Sequence, residues 1–161
     1  MNELGIFFDT ETCGFPDWSA PSDAPQQPHL VQIAAHVVNM ETRKRIQSMD
    51  VIVKPDGWEI PGESTEIHGI TTEFALSVGV SEEMAIRMFF EMWLKCGSRI
   101  AHNTPFDNRI VRIAFKRYFG DIACEAWKAG LYECTGKLST PIMKMPFPSG
   151  KAGMKMPKMI E

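Results

Sequence analysis

Apolar and polar positions along the chain follow two different periods, and the changes between them mark the elements. Gly5-Ile-Phe-Phe-Asp-Thr-Glu-Thr12 reads as a short buried strand that ends in two carboxylates, Asp9 and Glu11. Cys13 to His29 carries Pro16, Pro21, Pro25 and Pro28. It predicts a loop, because proline removes backbone donors and turns its preceding neighbour away from helix. Leu30 to Asn39 and Arg45 to Lys54 are rich in β-branched residues and flank a polar turn, which predicts an antiparallel hairpin beside the first strand. Pro55 to Trp58 closes it in a turn.

The second half shifts to helical spacing. Thr71 caps a short helix that carries Glu73 and stops at Gly79; Ser81 caps a longer one through about Cys96, with Glu82 and Glu83 in its first turn. Ala85, Met88, Phe89 and Met92 form the core-facing stripe of that helix. Ser98 to Ala101 predicts a strand. Thr104 as cap, with Pro105 at the first helical position, predicts a helix to about Phe119. On it Asp107, Ile110, Val111, Ala114 and Tyr118 share the inward face. Gly120 reads as its end, Asp121 to Leu131 as another short helix, and Leu138 to Ile142 as a last strand or extended segment.

Two of these positions pose a chemical question. Residues two apart on a strand point the same way, roughly 6–7 Å apart, so Asp9 and Glu11 share a face. Both are ionised at neutral pH and repel each other. A divalent cation between them and a solvated strand end before a turn at Gly14 both satisfy this stretch. Asp107 heads a buried helical stripe, where an acid needs a cation or a hydrogen bond; the amide of its own helix cap is the local alternative. The proline-rich loop leaves directly from the two acids, so Phe15 and Trp18 either touch a planar ligand there or pin the loop to the body.

Composition narrows the field. With 161 residues, 44% hydrophobic and 23% charged, the chain suits one ordinary globular domain. A net charge of −3 excludes a generic nucleic-acid coat. It does not exclude an enzyme acting on nucleic acid, since bound metal ions supply positive charge locally. Cys13, Cys96, Cys124 and Cys134 form no zinc-type spacing and read as free thiols of a cytoplasmic protein. The first residues lack a basic stretch followed by an apolar one, and no apolar run approaches the ~18 residues of a membrane span. Between Lys137 and Ile160 stand five lysines and no acid, either a contact for phosphates or a solvated loop. The Met-Lys-Met-Pro tetrapeptides at Met143 and Met154 are too few and too short for a repeat architecture.

Phe8-Asp-Thr-Glu-Thr12, Ile67-His-Gly-Ile-Thr71 and Ala101-His-Asn-Thr-Pro-Phe-Asp107 together resemble, in order and spacing, the motifs of DnaQ-like (DEDD) 3′-5′ exonucleases of the ribonuclease H-like superfold. The resemblance implies an α/β fold: a mixed sheet with an antiparallel hairpin beside the first strand, then parallel strands, all flanked by helices. It implies Asp9, Glu11 and Asp107 as catalytic and metal-binding acids, and Thr10, Thr12, His68, Ile70, Asn103 and Phe106 as substrate contacts. Two Mg²⁺ or Mn²⁺ ions are the implied cofactors, and hard oxygen ligands suit them. The implied partner is the 3′ end of a single-stranded nucleic acid, DNA favoured over RNA, with no membrane and with oligomeric state left open. The family's third motif, His-x4-Asp or Tyr-x3-Asp, does not follow Asp107. His102 and Asp107 share that spacing, but their setting fits the second motif. The expectation is a single domain over residues 1–161, incomplete at its C-terminal end, with activity impaired by the missing acid and base. A binding or assembly module that keeps the fold without the chemistry is the alternative.

Overall fold

The computed structural model describes residues 3–147, 149 and 151–158. Met1 and Asn2, and within the lysine-rich stretch Pro148, Gly150 and Met159 to Glu161, lie outside the described residues. Three strands come first: β1 (Leu4–Thr12), β2 (Leu30–Asn39) and β3 (Arg45–Ile52). Then follow α1 (Gly62–His68), α2 (Thr72–Val78), α3 (Glu82–Trp93), β4 (Ser98–Ala101), α4 (Thr104–Ala129), β5 (Tyr132–Cys134) and α5 (Thr135–Met143). The sheet runs β3-β2-β1-β4-β5, antiparallel between β1, β2 and β3, and parallel from β1 through β4 to β5. This is the mixed, helix-flanked α/β sheet that the motifs implied.

Alternation on β1 decides what each face meets. Ile6 and Phe8 are buried and join a core with Ile33, Ala85, Phe89, Trp93, Val111, Phe115 and Trp127. The intervening residues, Phe7 and Asp9, line a cavity on the sheet's other face with Ala34, Ile100 and His102. The core is aromatic at its centre: Trp127 meets Phe8, Phe89, Phe115 and Trp93 edge-on, at centroid distances of 5.8, 5.9, 5.3 and 4.9 Å.

The loop between β1 and β2 is held by polar groups rather than by its aromatics. Arg109 of α4 donates to Ser22 Oγ and to the carbonyls of Asp17 and Ala20. Buried Gln27 donates to the carbonyls of Asp17 and Pro21. Glu82, buried at the start of α3, accepts from the Leu30 amide, Arg117 and Tyr118 and pairs with His29. These bonds satisfy backbone groups that a seventeen-residue loop would otherwise leave exposed. Phe15 and Trp18 remain 82% and 62% exposed.

Several local expectations need correction. Ser81 and Thr71 cap their helices as expected, but α1, which buries no residue, has no apolar stripe to announce it. Met88 is exposed, and Ile86 and Trp93 take its place in the core of α3. The cap of α4 is Asn103, in a left-handed conformation at φ 57°, not Thr104. Thr104 is the first helical residue, and its Oγ1 lies 2.8 and 2.7 Å from the carbonyls of Ala101 and Glu133. Gly120 kinks α4 at φ 74° instead of ending it, since glycine reaches positive φ at little cost. Leu138 to Ile142 lies in α5, not in a strand; the last strand, β5, is three residues long and sits earlier. Gly79 ends α2 as expected, its N–H donating to the Ala75 carbonyl at 2.9 Å, and it leaves no room for a side chain: a Cβ there would lie 2.5 Å from Ala75 O and 2.6 Å from Lys54 N. The two Met-Lys-Met-Pro segments meet in an antiparallel bridge between Pro146 and Met154.

Candidate active site

The tip of β1 is where elements from distant parts of the chain converge. The left-handed turn at Asn103 starts α4 directly after β4, and the first turn of that helix carries Asp107 back over β1. Asp107 is only 2% exposed. Its Oδ1 accepts from the amide of Thr10 at 3.0 Å and from the Thr10 hydroxyl at 2.8 Å. Burial pushes the Asp107 carboxyl up to about 7, and the neighbouring charge of Asp9 adds to the rise against the pull of the two Thr10 bonds. Asp9 is also raised by burial, with His102 and the Thr10 amide counteracting. Asp107 is therefore an acid strained by desolvation and by the charge of Asp9, which stands exposed on the strand beside it.

Glu11 shares the strand face of Asp9 but opens onto a neighbouring groove. With Gly14, Phe15, Ser64, His68 and Phe106 it lines a cavity of about 180 Å³. Phe15 stands at its rim and meets Phe106 edge-on at 6.2 Å. Burial lowers the pKa of His68 against a backbone bond to Thr12; Nδ1 accepts from the Ile70 amide, and among the described residues the buried Nε2 makes no hydrogen bond of regular geometry. On the opposite side of Asp9 lies the larger cavity of about 420 Å³. An acid is thus flanked by an aromatic slot on one side and an apolar trough on the other.

Among the described residues no three His, Cys, Asp or Glu side chains are gathered tightly enough to enclose an ion. The donor set that does exist is a pair of hard carboxylates, one of them buried and carrying a raised pKa. Such an open site fits Mg²⁺ or Mn²⁺, which take one or two carboxylates and complete their shell with water and phosphate oxygens. A closed zinc site would need more protein ligands.

A family model described as RNase_T exonuclease matches residues 6–145. The chain belongs to the RNase_T exonuclease family. This agrees with the resemblance of its three motifs to DnaQ-like enzymes. A DNA polymerase III subunit epsilon-like protein of Rhodobacter capsulatus is 33% identical to this RNase_T chain over 107 residues, 66% of the chain and 14% of that protein. E. coli exonuclease I in complex with a dT13 oligonucleotide superposes with a TM-score of 0.69 at 22% identity, over 84% of this chain and 28% of that one. A zinc-bound form of the E. coli exonuclease I complex with single-stranded DNA gives 0.69 at 22% identity, over 86% and 29%. The two structures share the fold, and the chain spans well under a third of the length of each of these proteins.

Within this RNase_T fold the substrate contacts expected from the motifs separate into two groups. Phe106 and His68 line the groove beside Glu11, and Asn103 is exposed at the turn before α4. Thr12 lines it as well, whereas Thr10 and Ile70 do not. Thr10 gives its hydroxyl to Asp107, Thr12 donates to the Gly14 carbonyl at 2.7 Å, and Ile70 packs with Val31, Ile60 and Ala75. His102 had no assigned part, although a signal existed. Parallel register pairs Phe7 with Ile100, so two residues further on His102 comes level with Asp9. Thr10→Val should raise the Asp107 pKa further, because it removes a donor to the charged form. The expected cost is about 1–2 kcal/mol of stability above neutral pH and little below, read from melting curves across pH.

Proposed function

We propose that this domain is a metal-dependent exonuclease that removes nucleotides from the 3′ end of a single strand, with DNA favoured. The observation that carries this reading is the meeting of Asp107, buried on α4, with Asp9 at the tip of β1. A retired site would gain by replacing a buried, unpaired acid with a neutral residue. Family membership supports a hydrolase of phosphodiesters, and the dT13 and single-stranded DNA complexes of exonuclease I support a single-stranded substrate.

In this reading Asp9 and Asp107 hold Mg²⁺ or Mn²⁺, with Glu11 on the groove side. When bound, the ions supply Lewis-acid activation of water and charge relief on the leaving oxygen. The chain's own residues do the rest. Thr10 fixes the rotamer of Asp107 through two bonds to one oxygen, leaving Oδ2 for ligation. The terminal base lies in the groove against Phe15 and Phe106, whose rings meet edge-on and form one wall. Water adds to phosphorus, the bond to the 3′ oxygen breaks, and a nucleoside 5′-monophosphate leaves while the strand keeps a new 3′ hydroxyl.

Single-stranded DNA labelled at its 5′ end and incubated with Mn²⁺ should give a ladder that shortens from the 3′ end. A mobility shift without cleavage would assign the domain to binding instead, and internal nicks would assign an endonuclease. Phe15→Ala should raise KM roughly tenfold with a smaller effect on kcat, because a stacking platform for one base is lost while the acids are untouched.

A further inference from the structure

The outward side of α4 carries a second constellation, on a different face from Asp107. Pro105, Asn108, Arg109 and Arg112 recur at i, i+3, i+4 and i+7 and line one wall of a cavity of about 230 Å³. Arg99, Lys128, Trp18 and Tyr132 complete it, and among the described residues no carboxylate lines it. Two of its arginines are buried: Arg99 is 2% and Arg109 5% exposed. Among the described residues, Arg99, Arg109 and Arg112 form no ion pair. Arg99 donates to Asn108 Oδ1 and the Gly130 carbonyl and lies 4.0 Å over the Trp127 ring. Arg109 donates to a hydroxyl and two carbonyls. Among the described residues, the buried Nε atoms of Arg109 and Arg112 have no hydrogen-bond partner. Arg109 and Arg112 also line the adjoining cavity, whose acids pair with lysines: Glu125 with Lys128, and Asp121 and Asp23 with Lys116; Asp17 lies close enough for its charge to act on Arg109 without an ion pair.

Three guanidinium groups that form no ion pair among the described residues, two of them out of water, make the walls of this hollow positive. Such a hollow is completed by an anion, and planar forks favour phosphate. On the rim, Trp18 is 62% and Tyr132 48% exposed. Rings at that position beside a phosphate-type pocket suit a base. We propose that this cavity is a second nucleotide-binding site, with a phosphate against Arg109 and Arg112 and the base against Trp18. None of Asp9, Glu11 and Asp107 lines it, so the site binds nucleotide without metal. The same chemistry accepts a free mononucleotide or one unit of a strand.

The test is tryptophan fluorescence titration of the whole chain in EDTA, with dTMP, inorganic phosphate and a short thymidine oligonucleotide as probes. dTMP should bind about tenfold tighter than phosphate, the difference being the stacked base. Arg112→Gln should weaken dTMP roughly tenfold or more, and Arg112→Lys should recover part of that loss. Trp18→Ala, an exposed change that leaves the fold intact, should equalise dTMP and phosphate. Asp107→Asn should bind as the parent does. A tighter oligonucleotide that Arg112→Gln also weakens identifies a strand as the source, and equal affinities identify the free nucleotide. Unchanged binding in Arg112→Gln, no preference for dTMP over phosphate, or no response to any probe would overturn the proposal. Because chelator is present, a failure of the exonuclease reading leaves this result unaffected.

Discussion

Asp107→Asn is expected to cost at least about 100-fold in nuclease rate while making the metal-free protein more stable above neutral pH. The two effects come from one cause. Asp107 is buried beside Asp9, and its carboxyl is pushed up to about 7. Because the folded pKa lies above the unfolded one, the native state holds that proton more tightly. The stability this contributes is full below about pH 4, the unfolded value, and is lost as pH rises through about 7. At pH 8 the native protein must keep a charge out of water, at a cost on the order of 3–4 kcal/mol. Asn keeps an oxygen for the Thr10 donors and carries no charge, so its melting curve should sit above the parent's at pH 8 and converge with it toward pH 4. Parallel curves at every pH would show that Asp107 is not the strained acid described here. Unchanged nuclease activity would remove it from the chemistry.

Trp127→Ala is expected to destabilise the domain by about 3–5 kcal/mol. The ring is 1% exposed and touches Phe8, Phe89, Trp93 and Phe115. Its Nε1 donates to the Asn108 carbonyl at 3.0 Å, and Arg99 lies over its face. Removal opens a cavity, leaves a helix carbonyl without its donor and strips a buried cation of its π partner. Trp127 stands beyond the Gly120 kink, so the second half of α4 is fixed to the sheet largely through this one side chain. Urea unfolding should show the loss in the midpoint with an unchanged slope. A loss under about 1 kcal/mol would mean that the end of α4 is not coupled to the core.

Where the chain's local pattern agreed with its packing, the fold was legible. The strand ending in Asp9, the hairpin, the caps at Thr71 and Ser81 and the inward stripe of α4 follow from side-chain period and hydrogen-bonding residues. What stayed hidden depended on partners far along the chain. A three-residue strand at Tyr132 carries too little pattern to announce itself, and forms because β4 offers it an edge. Thr104 looks like a cap, yet its hydroxyl is taken up by carbonyls of β4 and β5 while Asn103 adopts the left-handed turn. Gly120 has the usual appearance of a helix end, and Ala123, Cys124 and Trp127, buried beyond it, show why the helix resumes. Of the candidate site, the acids were readable because their chemistry is local to each motif. The inward use of Thr10, and the arginines around Trp127, required knowing which faces of β1, β4 and α4 come together.

Divalent ions joining Asp9 and Asp107 would show in the melting temperature with and without Mn²⁺, at about pH 6 and about pH 8, for the parent and Asp9→Asn. Mn²⁺ at a hundredfold excess over its Kd should add about 2.7 kcal/mol of stability. The gain should be larger at the higher pH, where protons no longer compete, and absent in Asp9→Asn. A melting temperature indifferent to Mn²⁺, or a rise that Asp9→Asn shares, would contradict the account.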